Sequence, residues 1–207
     1  MPVTRPPSLR RPTRAGSTLR REPDAVLVMA IRDGRDAALR TLIERYTPSL
    51  TTTVIGMLGP SAEVDDVLQD VFIRFYHSLD RFELTGSAEP YLKRIAINRA
   101  LDTLRRRRRN LGRFLSRDAD PSLSPDPPRL DPDNLERQDR HRLVYHALGM
   151  LSDKHRSVVV LRLIEGFSTE ETARILDLPY GTVLSRLSRA LSKLKQTLSP
   201  ASTSDLF

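Results

Sequence analysis

Three sets of side chains in this 207-residue sequence have the types and spacing for recognition chemistry. In PYGTVLSRLSRALSKLK, Thr182, Ser185 and Arg189 recur at helical spacing, with Arg186 at their flank. At about 100° per residue they lie opposite a stripe of Val183, Leu187, Ala190, Leu191, Leu194 and Leu198. Hydroxyls and guanidinium groups gathered in this way suit phosphates and base edges in a major groove. A second set, Tyr91, Arg94 and Asn98 with Asp102 and Arg105 beyond them, occupies the narrow polar side of PYLKRIAINRALDTLRRRRR. A ring that stacks, an amide that reads an edge and arginines that hold phosphate are what an unpaired base requires. The run Arg105–Arg109 then adds a dense positive end that reads as a phosphate clamp. The third set is acidic: Asp66, Gln69, Asp70, Ile73 and His77 share one face of SAEVDDVLQDVFIRFYHSLDRF. Ordinary solvation would account for the acids, whereas a docking surface for a basic protein would also account for the isoleucine.

No grouping has the form of a catalytic centre. The four histidines, His77, His141, His146 and His155, make no metal-ligand spacing, and no nucleophile has a base placed beside it. Cysteine is absent, which excludes disulfides and thiolate zinc sites. The reading is therefore of a binding protein, not an enzyme, with no cofactor and no metal.

The elements that must carry these sets are helical. Ser168 and Glu171 have the spacing of a capping box, which predicts a helix near Ser168–Leu176. DLPYG supplies a sharp turn, and a second helix starts near Pro179–Thr182. Helix, short turn and basic second helix make a helix-turn-helix. Upstream, Val64, Val67, Leu68, Val71, Phe72, Phe75 and Leu79 recur as the core face of a helix within 61–82. Leu92, Ile95, Ala96, Ala100, Leu101 and Leu104 do the same within 90–109. No alternating strand pattern interrupts them, so the class is all-α: two small helical domains joined by a flexible linker. The expected layout is a basic Arg/Pro tail over 1–23, a helical domain over 24–112, a Pro/Asp-rich linker over 113–137, a helix-turn-helix domain over 138–199 and a polar end over 200–207.

A net charge of +8 with 5% aromatic residues favours a polyanionic partner, nucleic acid first. No apolar run approaches the ~20 residues of a membrane helix, so no membrane insertion is expected. The expectation is a soluble, cytoplasmic protein.

Taken in order across the linker, EVDDVLQDVFIRFYHSLDRF, YLKRIAINRALDTLRR and LSDKHRSVVVLRLIEGFSTEETARILDLPYGTVLSRLSRALSKLK resemble the extracytoplasmic-function (ECF) sigma factors of bacterial RNA polymerase. The resemblance covers roughly residues 25–109 and 138–198. It implies a sigma region 2 and a sigma region 4 with RNA polymerase core as partner, through the β′ clamp helices and the β flap, and promoter DNA as ligand. It assigns Asp66, Gln69, Asp70 and Ile73 to core binding. The loop Glu83–Pro90 and the helix after it would capture the −10 strand, with Tyr91, Arg94, Asn98 and Arg105 in contact. Thr182, Ser185, Arg186 and Arg189 would read the −35 groove. It also admits an anti-sigma factor as a further partner. The sequence departs from the family where Tyr91 replaces a frequent Trp and where Leu184 replaces a frequent Lys or Arg. Leu184 either extends packing toward the scaffold helix or touches a thymine methyl or sugar at the groove edge. The alternative functions are a stand-alone helix-turn-helix transcriptional regulator, which would need neither the acidic face nor the aromatic/amide/arginine face, and a DNA-processing enzyme.

Overall fold

The computed structural model describes residues 21–81, 86–115 and 135–197. Most of the expected tail, the linker over 116–134, residues 82–85 of the predicted strand-capturing loop, Leu198 and the segment 200–207 lie outside the described residues. Among those described there is no strand.

The first lobe contains α1 (Asp24–Arg32), α2 (Asp36–Leu58), α3 (Glu63–Ser78), a 3-10 turn at Leu79–Arg81 and α4 (Glu89–Leu115). The i, i+3, i+4 pattern of α3 is buried as expected, with Val71 and Phe75 fully inaccessible. They meet Leu27 of α1, Leu42, Leu50, Val54 and Met57 of α2, and Leu92 and Ala96 of α4 in one core. Pro48 sits inside α2, where it removes one backbone donor. In the same helix Thr41, Thr47 and Thr51 turn their hydroxyls back onto the carbonyls four residues earlier. The fourth helix runs past the expected end at residue 109, because the arginine run RRRRR is made of good helix formers and no Gly or Pro follows until Gly112.

The second lobe contains α5 (Leu135–Gly149), α6 (Asp153–Val159) continuing into a π-helical turn at Val160–Ile164, α7 (Thr169–Leu176) and α8 (Tyr180–Thr197). Leu148, Leu151, Val159 and Ala190 form its small core. That core does not stand alone. Val160, Leu161 and Ile175 are buried in the same apolar cluster as the first lobe. A Cβ on Gly56 would lie 2.9 Å from a methyl of Val160, so only glycine lets α2 approach this closely. The buried Arg156 donates to the carbonyl of Met57 at 2.6 Å and to those of Gly149 and Leu151 at 3.0 and 3.1 Å. It thereby satisfies acceptors at the ends of α2 and α5 that their own helices leave open. The sequence suggested two helical units on either side of a linker; in the folded chain they are packed against each other.

Candidate nucleic-acid interface

The acidic face of α3 divides in two. Asp66, Gln69 and Ile73 are exposed, Ile73 by 46%. Asp70 is half-buried and turns toward α4, accepting from Arg99 at 2.5 Å with Arg74 at 3.9 Å. It was expected to face outward with the others; the guanidinium one helix away draws it inward.

Between α3 and α4 runs an open groove of about 610 Å³. Asp70, Ile73, Arg74 and His77 line one wall, and Tyr91, Ile95, Asn98 and Arg99 the other. The core-binding and strand-reading sets, separate in sequence, thus share a boundary. Tyr91 is half-buried, its ring centroid 6.3 Å from that of Phe75, so only part of the ring is exposed. Arg94 and Asn98 are exposed. Arg94 reaches Asp177 at 3.3 Å, at the left-handed residue that ends α7. Arg105 pairs with Asp102 at 3.1 Å.

The arginine run is not the uniform clamp that its composition suggests. Arg107 folds inward onto the Glu63 carboxylate, donating also to Ser61 Oγ and the Leu58 carbonyl. Its hydrogen bonds hold the Glu63 carboxyl below the ordinary value despite partial burial. Arg108 pairs across the lobes with Asp153. Arg106 and Arg109 are exposed. Stabilising the first lobe and joining it to the second occupies two of the five charges.

In the second lobe the capping box forms in full, with Glu171 N–H donating to Ser168 Oγ at 3.1 Å and Ser168 N–H to the Glu171 carboxylate at 2.7 Å. Asp177 then takes φ 54°, and the chain turns through Leu178–Pro179 into α8. Ser185 and Arg189 are exposed, while Thr182 and Arg186 are half-buried at the edge of the face. Val183 and Ala190 anchor the helix. Leu191, expected in the buried stripe, is 45% exposed, because neighbouring helices cover only the Val183–Ala190 line. Leu184 is also exposed, by 44%, and lines a shallow groove with Leu187, Ser188 and Leu191. Of its two readings, packing into the scaffold is the one the structure does not support.

Besides Arg156, two further buried charges are not marked out by the sequence pattern. Lys93 is fully buried, and its three donors go to Glu165 at 2.8 Å, Thr53 Oγ1 at 2.6 Å and the Ser49 carbonyl at 2.8 Å. Thr53 in turn donates to the other oxygen of Glu165 at 2.6 Å. Burial pushes the Lys93 ammonium below its ordinary value, and the Glu165 carboxylate offsets this only in part. Lys93 does fall in register with Ile97, Ala100 and Leu104, on the side of α4 that otherwise reads as core. The second is Asp24, only 6% exposed at the start of α1. Among the described residues no group of His, Cys, Asp and Glu could hold a metal ion, and no helix is long and apolar enough to cross a membrane.

Two family models match the chain. Sigma-70 region 2 matches residues 42–110 and Sigma-70 region 4 matches residues 141–194. The ECF RNA polymerase sigma-E factor of Escherichia coli K12 is 32% identical over 188 residues, spanning 86% of this chain and 95% of that protein. The chain belongs to the ECF RNA polymerase sigma factors. The sigma-E factor of Haemophilus influenzae is 28% identical over 183 residues, across 86% of this chain and 96% of the relative. Among solved structures, CnrH in complex with the cytosolic domain of CnrY is 28% identical with a TM-score of 0.62, covering 86% of this chain and 97% of CnrH. The sigma factor RpoE of Bartonella quintana, in complex with the anti-sigma factor NepR, shares the fold at 24% identity and a TM-score of 0.58, covering 78% and 96%. As a sigma factor the chain binds RNA polymerase core and promoter DNA, recognising the −35 and −10 elements for transcription initiation. The first lobe carries its region 2 and the second its region 4.

Proposed function

We propose that this sigma factor docks on core polymerase through Asp66, Gln69 and Ile73, captures the −10 strand along α4 and reads the −35 groove with α8. Asp70 belongs to the docking set through its position beside Ile73, but it acts with Arg99 and not as a free charge. Along α4, Asn98 and Arg94 offer an amide edge and a phosphate donor beside the partly exposed Tyr91 ring, and Arg105, Arg106 and Arg109 extend the positive track. On α8, Ser185 and Arg189 project toward base edges with Thr182 and Arg186 at the rim, and Leu184 offers an apolar contact to a thymine methyl or a sugar. The protein contributes binding and no bond-making chemistry, and it acts in the cytoplasm with the polymerase.

The two elements lie roughly 25 base pairs apart, or about 85 Å at 3.4 Å per pair. Arg94 of the −10 set and Asp177 of the helix-turn-helix are 3.3 Å apart. One arrangement cannot serve both elements, so the packed lobes separate as the promoter is engaged. A protein partner that holds the lobes together would keep the factor off the promoter, and we infer an anti-sigma factor of that kind. The observation that carries the reading is the pairing of an exposed acid-and-isoleucine face on α3 with an exposed hydroxyl-and-arginine face on a capped helix-turn-helix. Co-purification with core polymerase, followed by transcription from candidate promoters, tests it. Specific duplex binding without core association or promoter opening would favour the stand-alone regulator instead.

A further inference from the structure

Asp24 is a charged residue held inside the protein, 6% exposed at the start of α1. One carboxylate oxygen accepts from Arg45, and the other accepts from the Tyr46 hydroxyl and from the backbone N–H of Ala88 at 2.7 Å. The Tyr46 oxygen also lies 2.9 Å from Ser87 Oγ, and the Glu89 N–H donates to that same Ser87 oxygen at 3.1 Å. Since the Tyr46 proton goes to Asp24, the Ser87 proton goes to Tyr46, and a directed chain runs from Glu89 N–H through Ser87 and Tyr46 to Asp24. The Glu89 side chain is held separately by the Ser49 hydroxyl at 2.8 Å. Three successive residues, 87 to 89, are therefore tied to α1 and α2. These residues close the loop that precedes α4, and Tyr91, Arg94 and Asn98 follow within the next turns.

A buried carboxylate is a poor way to add stability, because desolvation opposes the gain and an apolar plug does as well. What a fully satisfied polar network supplies is orientation. Here burial pushes the Asp24 carboxyl up, but the bonds from Tyr46, Ala88 and Arg45 outweigh it and hold the group below its ordinary value, so it stays ionised. The anchor also comes from upstream of residue 42, where the region 2 match begins.

We propose that Asp24, acting through Tyr46 and Ser87, is a positioning residue for −10 strand capture: it sets the register of residues 87–89 and so the way α4 presents Tyr91 and Asn98 to an unpaired base. This rests on the reading that α4 contacts the −10 strand, and the test separates the two. Holoenzyme reconstituted from the full chain and core polymerase is incubated with a single-stranded DNA pool of randomised sequence. The bound fraction is sequenced to give a base-preference profile, and core affinity and thermal midpoint are measured alongside. Asp24→Asn should flatten the preference at the captured position by about tenfold with core affinity unchanged, and Tyr46→Phe, which removes only the hydroxyl, should flatten it less. Leu42→Val, a core change that leaves the network intact, should lower the midpoint and keep the profile. If Asn98→Ala and Asp24→Asn both retain the wild-type profile, the reading of α4 as the strand-binding helix is wrong. If Asn98→Ala flattens the profile and Asp24→Asn and Tyr46→Phe do not, or if Leu42→Val flattens it equally, the positioning role is overturned.

Discussion

Two buried charges anchor α4 and the residues that lead into it, and they differ in what they join. Asp24 binds residues 87–89 to α1 and α2 within a single lobe. Lys93 binds α4 and α2 to Glu165, which belongs to the other lobe. Both networks are saturated with hydrogen bonds, yet only the second has to come apart for the lobes to reach two promoter elements. An ion pair suits a joint of that kind. When it opens, water takes up both charges and recovers much of the desolvation cost, whereas the apolar contact of Val160, Leu161 and Ile175 beside it loses its cover and needs a new one. On the proposed separation of the lobes, buried charge serves permanence at Asp24 and separability at Lys93.

The strongest way to break that contrast is to remove one partner of the joint. Lys93→Met should leave Glu165 uncompensated and destabilise the packed state by about 3–5 kcal/mol, seen as a lower denaturation midpoint. Adding Glu165→Leu should recover most of the loss; no recovery would mean that the pair holds something other than the lobe contact. Gly56→Ala attacks the same contact without touching charge. Its methyl must displace Val160, at a cost of about 1–3 kcal/mol, and the change should widen the lobe spacing while the first lobe keeps its fold.

The Asp24 network is tested by acid. Because the carboxyl sits below its ordinary value of 3.8 in the folded chain, its stabilisation is present above that value and is lost as pH falls through the depressed one. Unfolding curves from about pH 6 downward, starting roughly two pH units above the ordinary carboxylate value, should show Asp24→Asn with a flatter acid limb than wild type. The smallest effect is local to the helix-turn-helix: Ser168→Ala removes one half of the capping box and should cost about 1 kcal/mol, without altering the joint at Lys93.

Local features were the legible ones. The Ser168–Glu171 cap, the buried face of α3 and the start of α8 each depend on residues within a few turns, and the sequence pattern specifies them. Arg107, Lys93 and Asp24 depend on partners brought in by the tertiary fold. Nothing near Arg107 in sequence distinguishes it from Arg106, yet Glu63 and Ser61 wait on its side of the helix alone. Lys93 did stand in the register of the apolar stripe, but its acceptor lies beyond the linker. Asp70 and Leu191 went the other way, one drawn inward by Arg99 and the other left uncovered, because neighbouring helices and not periodicity decide how wide a buried face is.

The central claim is that the packed lobes part when the factor engages its promoter. The chain has no cysteine, so Thr52→Cys on α2 and Glu170→Cys on α7 introduce unique labelling sites at exposed positions. The label-to-label distance, measured in the free chain and again in holoenzyme on promoter DNA, should be short in the first and longer by tens of ångströms in the second, as a separation of about 85 Å between elements requires. An unchanged distance in a transcriptionally competent complex would contradict the account.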